Sequence, residues 1–206
     1  MFITFEGIDG CGKSTQAKML ENYLKKKRYN VIHIFDPGYT KIGNEVRDIL
    51  LDLKSDKMNS VTEMLLYSSA RSQLVSEIIK PALAENTIVI SDRFYDSTTA
   101  YQGYGRNISM ELIETLNKIA SHNLIPNLTF IVNVDINQAN NRLDKNNFDR
   151  MESENSTFKT RVLDGYKIIA NENSKRCYLI EGDKSINEIH EKIKKITIEK
   201  LNEIEK

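Results

Sequence analysis

A glycine-rich loop near the start of the chain constrains the fold more than any other feature. Residues 7–14 read GIDGCGKS, which fits the pattern GxxxxGK[ST]. The loop follows the apolar run FITFE and precedes TQAKMLENYL, which has helical periodicity. Glycines let a backbone wrap around phosphates, and the N–H groups at the start of a helix attract anions. The sequence therefore predicts a strand–loop–helix unit that binds the phosphates of a nucleoside triphosphate.

Two residues of this loop and two that follow the third predicted strand have expected roles in binding the nucleotide. Lys13 should reach the terminal phosphates, and the Ser14 hydroxyl should bind Mg²⁺. Asp92 follows the third predicted strand, where a second carboxylate would hold the same ion directly or through water, and Arg93 next to it should point into the ligand crevice. The predicted nucleotide-binding residues are Gly7, Ile8, Asp9, Gly10, Cys11, Gly12, Lys13, Ser14 and Thr15.

Apolar runs alternate with segments of helical periodicity along the whole chain. The runs are Phe2–Phe5, Val31–Phe35, Thr87–Ile90, Leu128–Val134 and Cys177–Ile180. This βαβα order predicts an α/β, three-layer P-loop NTPase fold, with a parallel sheet of about five strands and helices on both faces. With 206 residues and no linker, we expect a single domain over 1–206. Two capping boxes, Ser60 to Glu63 and Ser185 to Glu188, predict helix starts. The polar, aperiodic stretch 142–156 predicts a mobile lid.

Composition excludes several classes of protein. The 29 basic and 29 acidic residues give zero net charge, which argues against a nonspecific nucleic-acid binder. No apolar run approaches the roughly 20 residues of a membrane span, and no signal peptide precedes the first strand, so we expect a cytoplasmic protein without a membrane partner. Cys11 and Cys177 are expected to be free thiols. The three histidines have no spacing typical of a zinc site.

Five segments resemble bacterial thymidylate kinases in order and spacing. They are FEGIDGCGKSTQ, DPGYTKIGNEVR, LLYSSARSQL, SDRFYDSTTAYQGYGR and DRMESENSTF, and together they cover nearly the whole chain. The resemblance implies that the γ-phosphoryl group of ATP, bound with Mg²⁺, is transferred to the 5′-phosphate of dTMP, which yields dTDP and ADP. It also implies a homodimer. The chain departs from the family at Asp36-Pro37-Gly38-Tyr39-Thr40, where relatives commonly read EPGGT.

The resemblance also assigns the acceptor site. Arg47 and Arg93 would grip the phosphate of dTMP, Tyr67 would stack on thymine, and Arg71 and Gln102 would hydrogen-bond the base. Ser97 or Thr98 would line the base and Tyr101 would crowd the 2′ position, while Asp9 and Asp36 would hold the sugar hydroxyl or the metal network. The full predicted acceptor set is Asp36, Arg47, Tyr67, Arg71, Arg93, Ser97, Thr98, Tyr101 and Gln102.

The segment 142–156 resembles the family's lid over the donor phosphates. Position 10 is Gly, so the basic residues would come from the lid, where Arg142, Lys145 and Arg150 are available. Their expected task is to neutralise charge on the transferring phosphoryl group. The predicted catalytic residues are Lys13, Asp9, Arg93, Arg142 and Arg150.

Two other functions remain open at this point. A deoxynucleoside kinase would phosphorylate a sugar hydroxyl and would need a base, for which Asp36 is the candidate. A nucleotide-dependent switch or ATPase would have no small-molecule acceptor. A nucleotide phosphate, with its second pKa near ~6, is mostly anionic at pH 7 and needs no base. The cluster of Arg47, Arg71 and Arg93 favours such a phosphorylated acceptor.

Overall fold

A five-stranded parallel sheet forms the centre of the computed structural model, which describes residues 1–143 and 148–204. The strands are β1 (Phe2–Glu6), β2 (Val31–Phe35), β3 (Ile88–Asp92), β4 (Leu128–Asn133) and β5 (Cys177–Glu181). Their order across the sheet is β2-β3-β1-β4-β5, and every neighbouring pair is parallel. The five predicted strands and the predicted parallel sheet are therefore confirmed.

Helices connect the strands and cover the sheet. They are α1 (Lys13–Lys26), α2 (Lys41–Leu51), α3 (Ser60–Leu74), α4 (Lys80–Ala84), α5 (Tyr95–Thr98), α6 (Met110–Ala120), α7 (Ile136–Arg142), α8 (Ser156–Glu172) and α9 (Ile186–Ile204). Val75–Ile79 is a π-helical segment that joins α3 to α4, Thr99–Gly105 is a second one that extends α5, and Leu53–Ser55 forms a 3₁₀ turn.

The alternation of side chains along β1 separates the two faces of the sheet. Ile3 and Phe5 are buried against apolar residues of α1 and α9, and Leu20 and Ile193 belong to the same cluster. Phe2 packs on the other side, in a cluster that includes Leu74 at the end of α3 and Val75 and Ile79 of the π-helical segment. All five residues of β1 are buried. A strand covered on both faces explains why β1 reads as a nearly continuous apolar run.

The carboxyl ends of three strands lie side by side. Phe5 of β1 and Phe35 of β2 are both paired in register with Asp92 of β3. The residues that follow these positions, including the glycine-rich loop, Asp36 and Arg93, therefore emerge at one edge of the sheet. In open α/β folds this edge is where ligands bind.

One of the two predicted capping boxes is confirmed and the other is wrong. The backbone N–H of Ser185 donates to Glu188 Oε2 (3.0 Å), and the N–H of Glu188 donates back to Ser185 Oγ (3.3 Å). At α3 the cap is instead Asn59, whose side chain accepts from the N–H of Val61 (2.9 Å). Glu63 turns into the protein and is buried.

Candidate active site

The glycine-rich loop connects β1 to α1, as predicted. Gly10 has φ of +79°, and a Cβ at this position would lie 2.3 Å from the carbonyl oxygen of Ala139. Gly12 has φ of +97° and precedes the first turn of α1, which no side chain among the described residues caps. The N–H groups of that turn are therefore left for a ligand, and the helix dipole favours an anion there.

Asp9, Lys13 and Arg93 form a charged cluster on this loop. Asp9 Oδ1 accepts from Lys13 Nζ (3.1 Å) and from Arg93 Nη2 (2.6 Å). Burial alone would raise the pKa of Asp9, but the charges of Arg93 and Lys13 outweigh it and hold that pKa well below its usual range. The cluster carries two positive charges and one negative charge, so it retains an excess of positive charge beside the loop.

Ser14 and Asp92 meet where a magnesium ion would be held. The Ser14 hydroxyl donates to Asp92 Oδ2. Both groups offer oxygen atoms, which Mg²⁺ prefers, and protein sites for this ion commonly supply only one or two ligands while substrate phosphates and water complete the shell. Among residues 1–143 and 148–204 no group of three or more His, Cys, Asp or Glu side chains could hold a metal. The pair fits Mg²⁺ that arrives with a nucleotide.

All nine predicted acceptor residues line one cavity beside the loop. Its empty volume is about 520 Å³, and Asp9 also lines it. The residues come from the loop after β2, from α2 and α3, and from the segment that follows β3. The Tyr67 ring is partly buried in the wall, so this tyrosine is not a core residue. We refer to this cavity as the acceptor pocket.

Arg71 is the most deeply buried arginine of the acceptor pocket, with 1% of its surface exposed. Its Nε donates to Asp36 Oδ2 (2.6 Å), its Nη1 to Thr98 Oγ1 (2.7 Å) and its Nη2 to the carbonyl of Phe94 (3.2 Å). Burial raises the pKa of Asp36 even though Arg71 opposes the shift. Three of the five N–H donors of Arg71 are therefore used to hold it, and its plane is fixed at the pocket wall.

Arg93 has a left-handed backbone with φ of +72°, which is rare for a residue other than glycine. Its Nη1 donates to the carbonyl of Gly7 (2.9 Å) and to Ser97 Oγ (3.1 Å), and its Nη2 also reaches Tyr101 Oη (3.3 Å). Such strain persists only where the surroundings hold the residue firmly. Arg93 thereby connects the phosphate loop to the acceptor pocket.

Glu6 lies beneath Arg93 and was not among the predicted site residues. Its carboxylate accepts from the N–H of Phe94 (2.8 Å), from Ser97 Oγ (2.5 Å) and from Tyr166 Oη (3.0 Å). Complete burial, helped by the charge of Asp96, raises the pKa of Glu6 to about 7. The sequence did offer one indication: Glu6 is an acidic residue at the end of a fully buried, mostly apolar central strand, where a charge has to be stabilised by partners.

Arg47 stands at the mouth of the acceptor pocket. Its Nη1 donates to the carbonyl of Pro37 (2.9 Å), and its guanidinium lies 5.4 Å from the centroid of the Phe35 ring. Tyr39, which replaces the common glycine, has φ of +68° and packs edge-to-face against Phe35 at 5.8 Å. Tyr39 is therefore part of the support for Arg47, and it does not line the cavity.

The lid residues fall into two positions. Arg142 lies against the phosphate loop, where its Nη1 is 3.4 Å from the carbonyl oxygen of Gly10. Arg150 is buried away from that loop, and it donates to the carbonyl of Leu50 (2.7 Å) and to Glu63 Oε2 (2.6 Å). The structure thus brings Arg142, but not Arg150, to the predicted donor phosphates. Lys145 lies outside the described residues.

Glu63 is the second site residue that the sequence did not reveal. It accepts from the side chains of Gln102, Arg106 and Arg150 and so joins α3 to the segment after α5 and to the lid. Its position in a Ser-x-x-Glu pattern was misleading, because the same spacing is typical of a capping box. Only the tertiary contacts distinguish the two roles.

A parallel sheet of order β2-β3-β1-β4-β5, a glycine-rich loop between β1 and α1, and a Ser–Asp pair beside it define the class of P-loop nucleotide-binding proteins. Among the described residues no helix is long and apolar enough to cross a membrane. In addition to this loop, the chain has the neighbouring acceptor pocket, which is lined by Arg47, Arg71 and Arg93.

The chain belongs to the thymidylate kinase family, whose model matches residues 5–193. A thymidylate kinase of Thermoanaerobacter sp. strain X514 is 45% identical over 192 residues, which are 93% of this chain and 94% of that protein. One from Mycoplasma capricolum is 39% identical over 209 residues, covering 100% and 98% of the two chains. The crystal structure of thymidylate kinase from Ehrlichia chaffeensis has a TM-score of 0.78 and 40% identity, covering 96% and 97%.

Proposed function

We propose that this protein phosphorylates dTMP to dTDP with ATP as the phosphate donor. The observation that carries the proposal is the acceptor pocket, which lies directly beside the phosphate loop and is lined by two arginines available for a phosphate. These are Arg47 of α2 and Arg93 after β3, while Arg71 of α3 is left for the base. Arginine is suited to holding phosphate oxygens in a fixed geometry, so the pocket fits an acceptor that is already phosphorylated.

On the donor side, the loop backbone and Lys13 bind the phosphates of ATP. Ser14 and Asp92 hold Mg²⁺, which when bound supplies positive charge to the phosphate oxygens. Lys13 exchanges its contact with Asp9 for the terminal phosphates, while Asp9 stays paired with Arg93. Because the acceptor phosphate is already an anion at pH 7, the side chains are needed for alignment and charge stabilisation rather than for proton removal.

On the acceptor side, Arg47 and Arg93 bind the phosphate of dTMP, and Tyr67 stacks on the thymine ring. Arg71 and Gln102 face the hydrogen-bonding edge of the base. Ser97 and Thr98 line the base, Tyr101 fills the 2′ position of the sugar, and Asp9 and Asp36 border the remaining wall. The ion pair of Arg93 with Asp9 supports this arrangement, because it keeps a phosphate-binding arginine of the acceptor side next to the phosphate loop, and in-line transfer requires donor and acceptor to be adjacent.

The lid contributes two arginines, Arg142 and Arg150, which have different roles. Arg142 is next to the carbonyl of Gly10 and stabilises charge on the transferring phosphoryl group. Arg150 starts from its ion pair with Glu63, so it reaches the donor phosphates only when the segment around it rearranges. A lid movement of this kind would expel water and complete the site upon binding.

An assay of ADP release across the nucleoside monophosphates tests the reaction. We expect dTMP to give the highest kcat/KM, with thymidine as a parallel acceptor. Turnover of thymidine without turnover of dTMP would contradict the proposal and revive a deoxynucleoside kinase. Nucleotide hydrolysis that no monophosphate changes would instead point to a switch or ATPase.

We further propose that the chain is a homodimer that pairs through the outer face of α2, α3 and α6. Large apolar side chains are exposed there at helical spacing: Ile42, Ile49, Val61, Leu65, Leu112 and Ile119. Helix α3 contacts both α2 and α6, so these side chains lie on neighbouring helices, and exposed apolar groups of this kind mark an interaction surface. Leu65→Glu should halve the mass measured by sedimentation equilibrium, whereas Ile204→Glu on α9 should not change it. A wild-type monomer would contradict this assembly.

A further inference from the structure

We propose that Glu63 is a positioning residue that determines base specificity, because it fixes which end of the Gln102 amide faces the acceptor pocket. This inference rests on the proposed function, in which the pocket receives the base of a nucleoside monophosphate. Gln102 lines the cavity, whereas Glu63 does not. Glu63 would therefore act on the base only through Gln102.

Each carboxylate oxygen of Glu63 accepts two hydrogen bonds. Its Oε1 accepts from Gln102 Nε2 (2.9 Å) and from Arg106 Nε (3.0 Å). Its Oε2 accepts from Arg106 Nη2 (2.9 Å) and from Arg150 Nη1 (2.6 Å). Glu63 and Gln102 are each 1% exposed, so water does not compete for these bonds.

Two arginines keep this buried carboxylate charged. Burial would raise the pKa of Glu63, but the hydrogen bonds from Arg106 and Gln102 and the charges of both arginines outweigh burial and lower it. Arg106 is itself held in place by Glu154 and by the face of the Phe158 ring, 4.5 Å away. Arg106 therefore remains a positive partner of Glu63 even when the proposed lid movement takes Arg150 away.

An ionised carboxylate can accept hydrogen bonds but cannot donate them. The Gln102 amide must consequently turn its NH₂ group toward Glu63, and its carbonyl oxygen Oε1 is left on the opposite side. Among the described residues nothing donates to Oε1, and this atom is absent from the set of buried polar atoms that lack a partner. Gln102 Oε1 is thus available to the pocket as a hydrogen-bond acceptor.

Arg71 supplies the complementary donor. Two of its five N–H groups remain after its bonds to Asp36, Thr98 and Phe94, and the residue lines the same pocket. A donor beside an acceptor matches a base edge with a carbonyl O4 and a protonated N3, which thymine and uracil have. Cytosine presents an amino group and an unprotonated N3, which reverses the pattern. The amide orientation set by Glu63 therefore favours an imide base over cytosine.

The decisive variant is Glu63→Gln, which keeps the shape and removes the charge. Its oxygen would take the place of Oε2, which accepts from Arg106 Nη2 and Arg150 Nη1, and its NH₂ would take the place of Oε1 and give up the bond from Arg106 Nε. That NH₂ would donate to Gln102, so the Gln102 amide would reverse and present its own NH₂ to the pocket. We expect the ratio of kcat/KM for dTMP to that for dCMP to fall by about tenfold or more. The values for dTMP and dUMP should fall in parallel, because both bases share the imide edge.

Three controls separate this role from a general structural one. Glu63→Asp keeps the charge and should preserve the dTMP/dCMP ratio even where the rates drop. Glu77→Gln removes an exposed carboxylate that also accepts from a glutamine amide, that of Gln73 at 2.7 Å, and should leave all three substrates unchanged. In a Gln102→Leu background, Glu63→Gln should no longer alter the ratio, because Gln102 is the group through which Glu63 acts.

The outcomes distinguish the inference from the function on which it rests. Wild-type protein that does not phosphorylate dTMP would overturn the proposed function itself. Active wild type together with a folded Glu63→Gln protein whose ratio is unchanged, or which loses all three substrates equally, would overturn the role of Glu63 alone. Thermal unfolding checks the fold, and if Glu63→Gln does not fold, Glu63→Ala is compared with Glu63→Asp. The dTMP/dCMP ratio should fall in Glu63→Ala and hold in Glu63→Asp, and an unchanged ratio in folded Glu63→Ala would overturn the role of Glu63.

Discussion

The phosphate loop and the acceptor pocket lie side by side but are built in different ways. The loop is one contiguous stretch, 7–14, whose binding groups are mostly backbone N–H groups held by glycine conformations. The acceptor pocket is assembled from side chains of at least four separate segments, and its key groups are fixed by buried ion pairs such as Arg71 with Asp36. We therefore expect loss of a buried pocket side chain to lower stability and binding together, whereas loss of Lys13 from the loop should mainly lower the rate of phosphoryl transfer.

Arg71→Ala should show the largest combined effect on the pocket side. The substitution leaves Asp36 buried without its partner, and breaking a buried ion pair in this way costs about 3–5 kcal/mol. We expect a lower free energy of unfolding in urea and, for the protein that remains folded, a raised KM for dTMP with little change in KM for ATP. Arg161→Ala, which removes a partly buried arginine that donates to the carbonyl of Gly105, is the control and should leave the KM for dTMP unchanged. A change in KM for ATP that matched the change for dTMP would contradict the separation of the two regions.

Lys13→Ala should show the opposite pattern on the loop side. The Asp9 carboxylate loses Lys13 but keeps its contact with Arg93, so no buried charge is left unpaired. We therefore expect only a small change in the free energy of unfolding. The donor phosphates, in contrast, lose a positive group at the place where charge develops, which is worth about 100- to 1,000-fold in kcat. Steady-state kinetics beside thermal unfolding measure the two effects. Lys18→Ala, one turn further along α1 and exposed, should change neither of them.

The two regions also differ in how far the sequence predicted them. The loop, its strand and its helix are local, so the spacing of Gly7, Gly12 and Lys13 was enough to place them. The pocket residues were assigned by resemblance, and the structure brings all nine to one cavity. Their roles in binding dTMP remain predictions. The support beneath them, Glu6 and Glu63, was missed because each acts through contacts between residues far apart in the chain, and neither strand periodicity nor a helix-start pattern reports such contacts.

Glu6 ends β1 next to the phosphate loop and bonds Phe94 and Ser97 on the pocket side, so its titration tests a support that the two regions share. Burial raises its pKa from an ordinary 4.5 to about 7, so between these values the folded state binds more protons than the unfolded state. The free energy of unfolding should therefore fall as the pH rises through this window. Glu6→Gln removes the titrating group. Between pH 5 and pH 8 this variant should therefore lose about 2 kcal/mol less of its free energy of unfolding than the wild type does, as measured by urea unfolding at both pH values.

The sign of this effect separates Glu6 from ordinary acidic residues. A carboxylate whose pKa is lowered by folding, such as Asp9, stabilises the protein as the pH rises and loses that contribution only in acid. Glu111→Gln on the exposed side of α6 is the control, and its pH dependence should follow that of the wild type. A decrease in Glu6→Gln as steep as in the wild type would mean that Glu6 is already ionised at pH 5 in the folded protein.

The smallest expected effect tests how α3 is positioned for the pocket. Asn59 caps this helix through its bond to the N–H of Val61, so Asn59→Ala should cost about 1 kcal/mol in urea unfolding. Ser60→Ala should cost almost nothing, since the capping role predicted for Ser60 is wrong. Because α3 carries Tyr67 and Arg71, any loosening of its first turn should raise KM for dTMP slightly and leave KM for ATP unchanged. Equal losses of stability in the two variants would show that Ser60 contributes to the cap after all, and a change in KM for ATP would show that α3 also supports the phosphate loop.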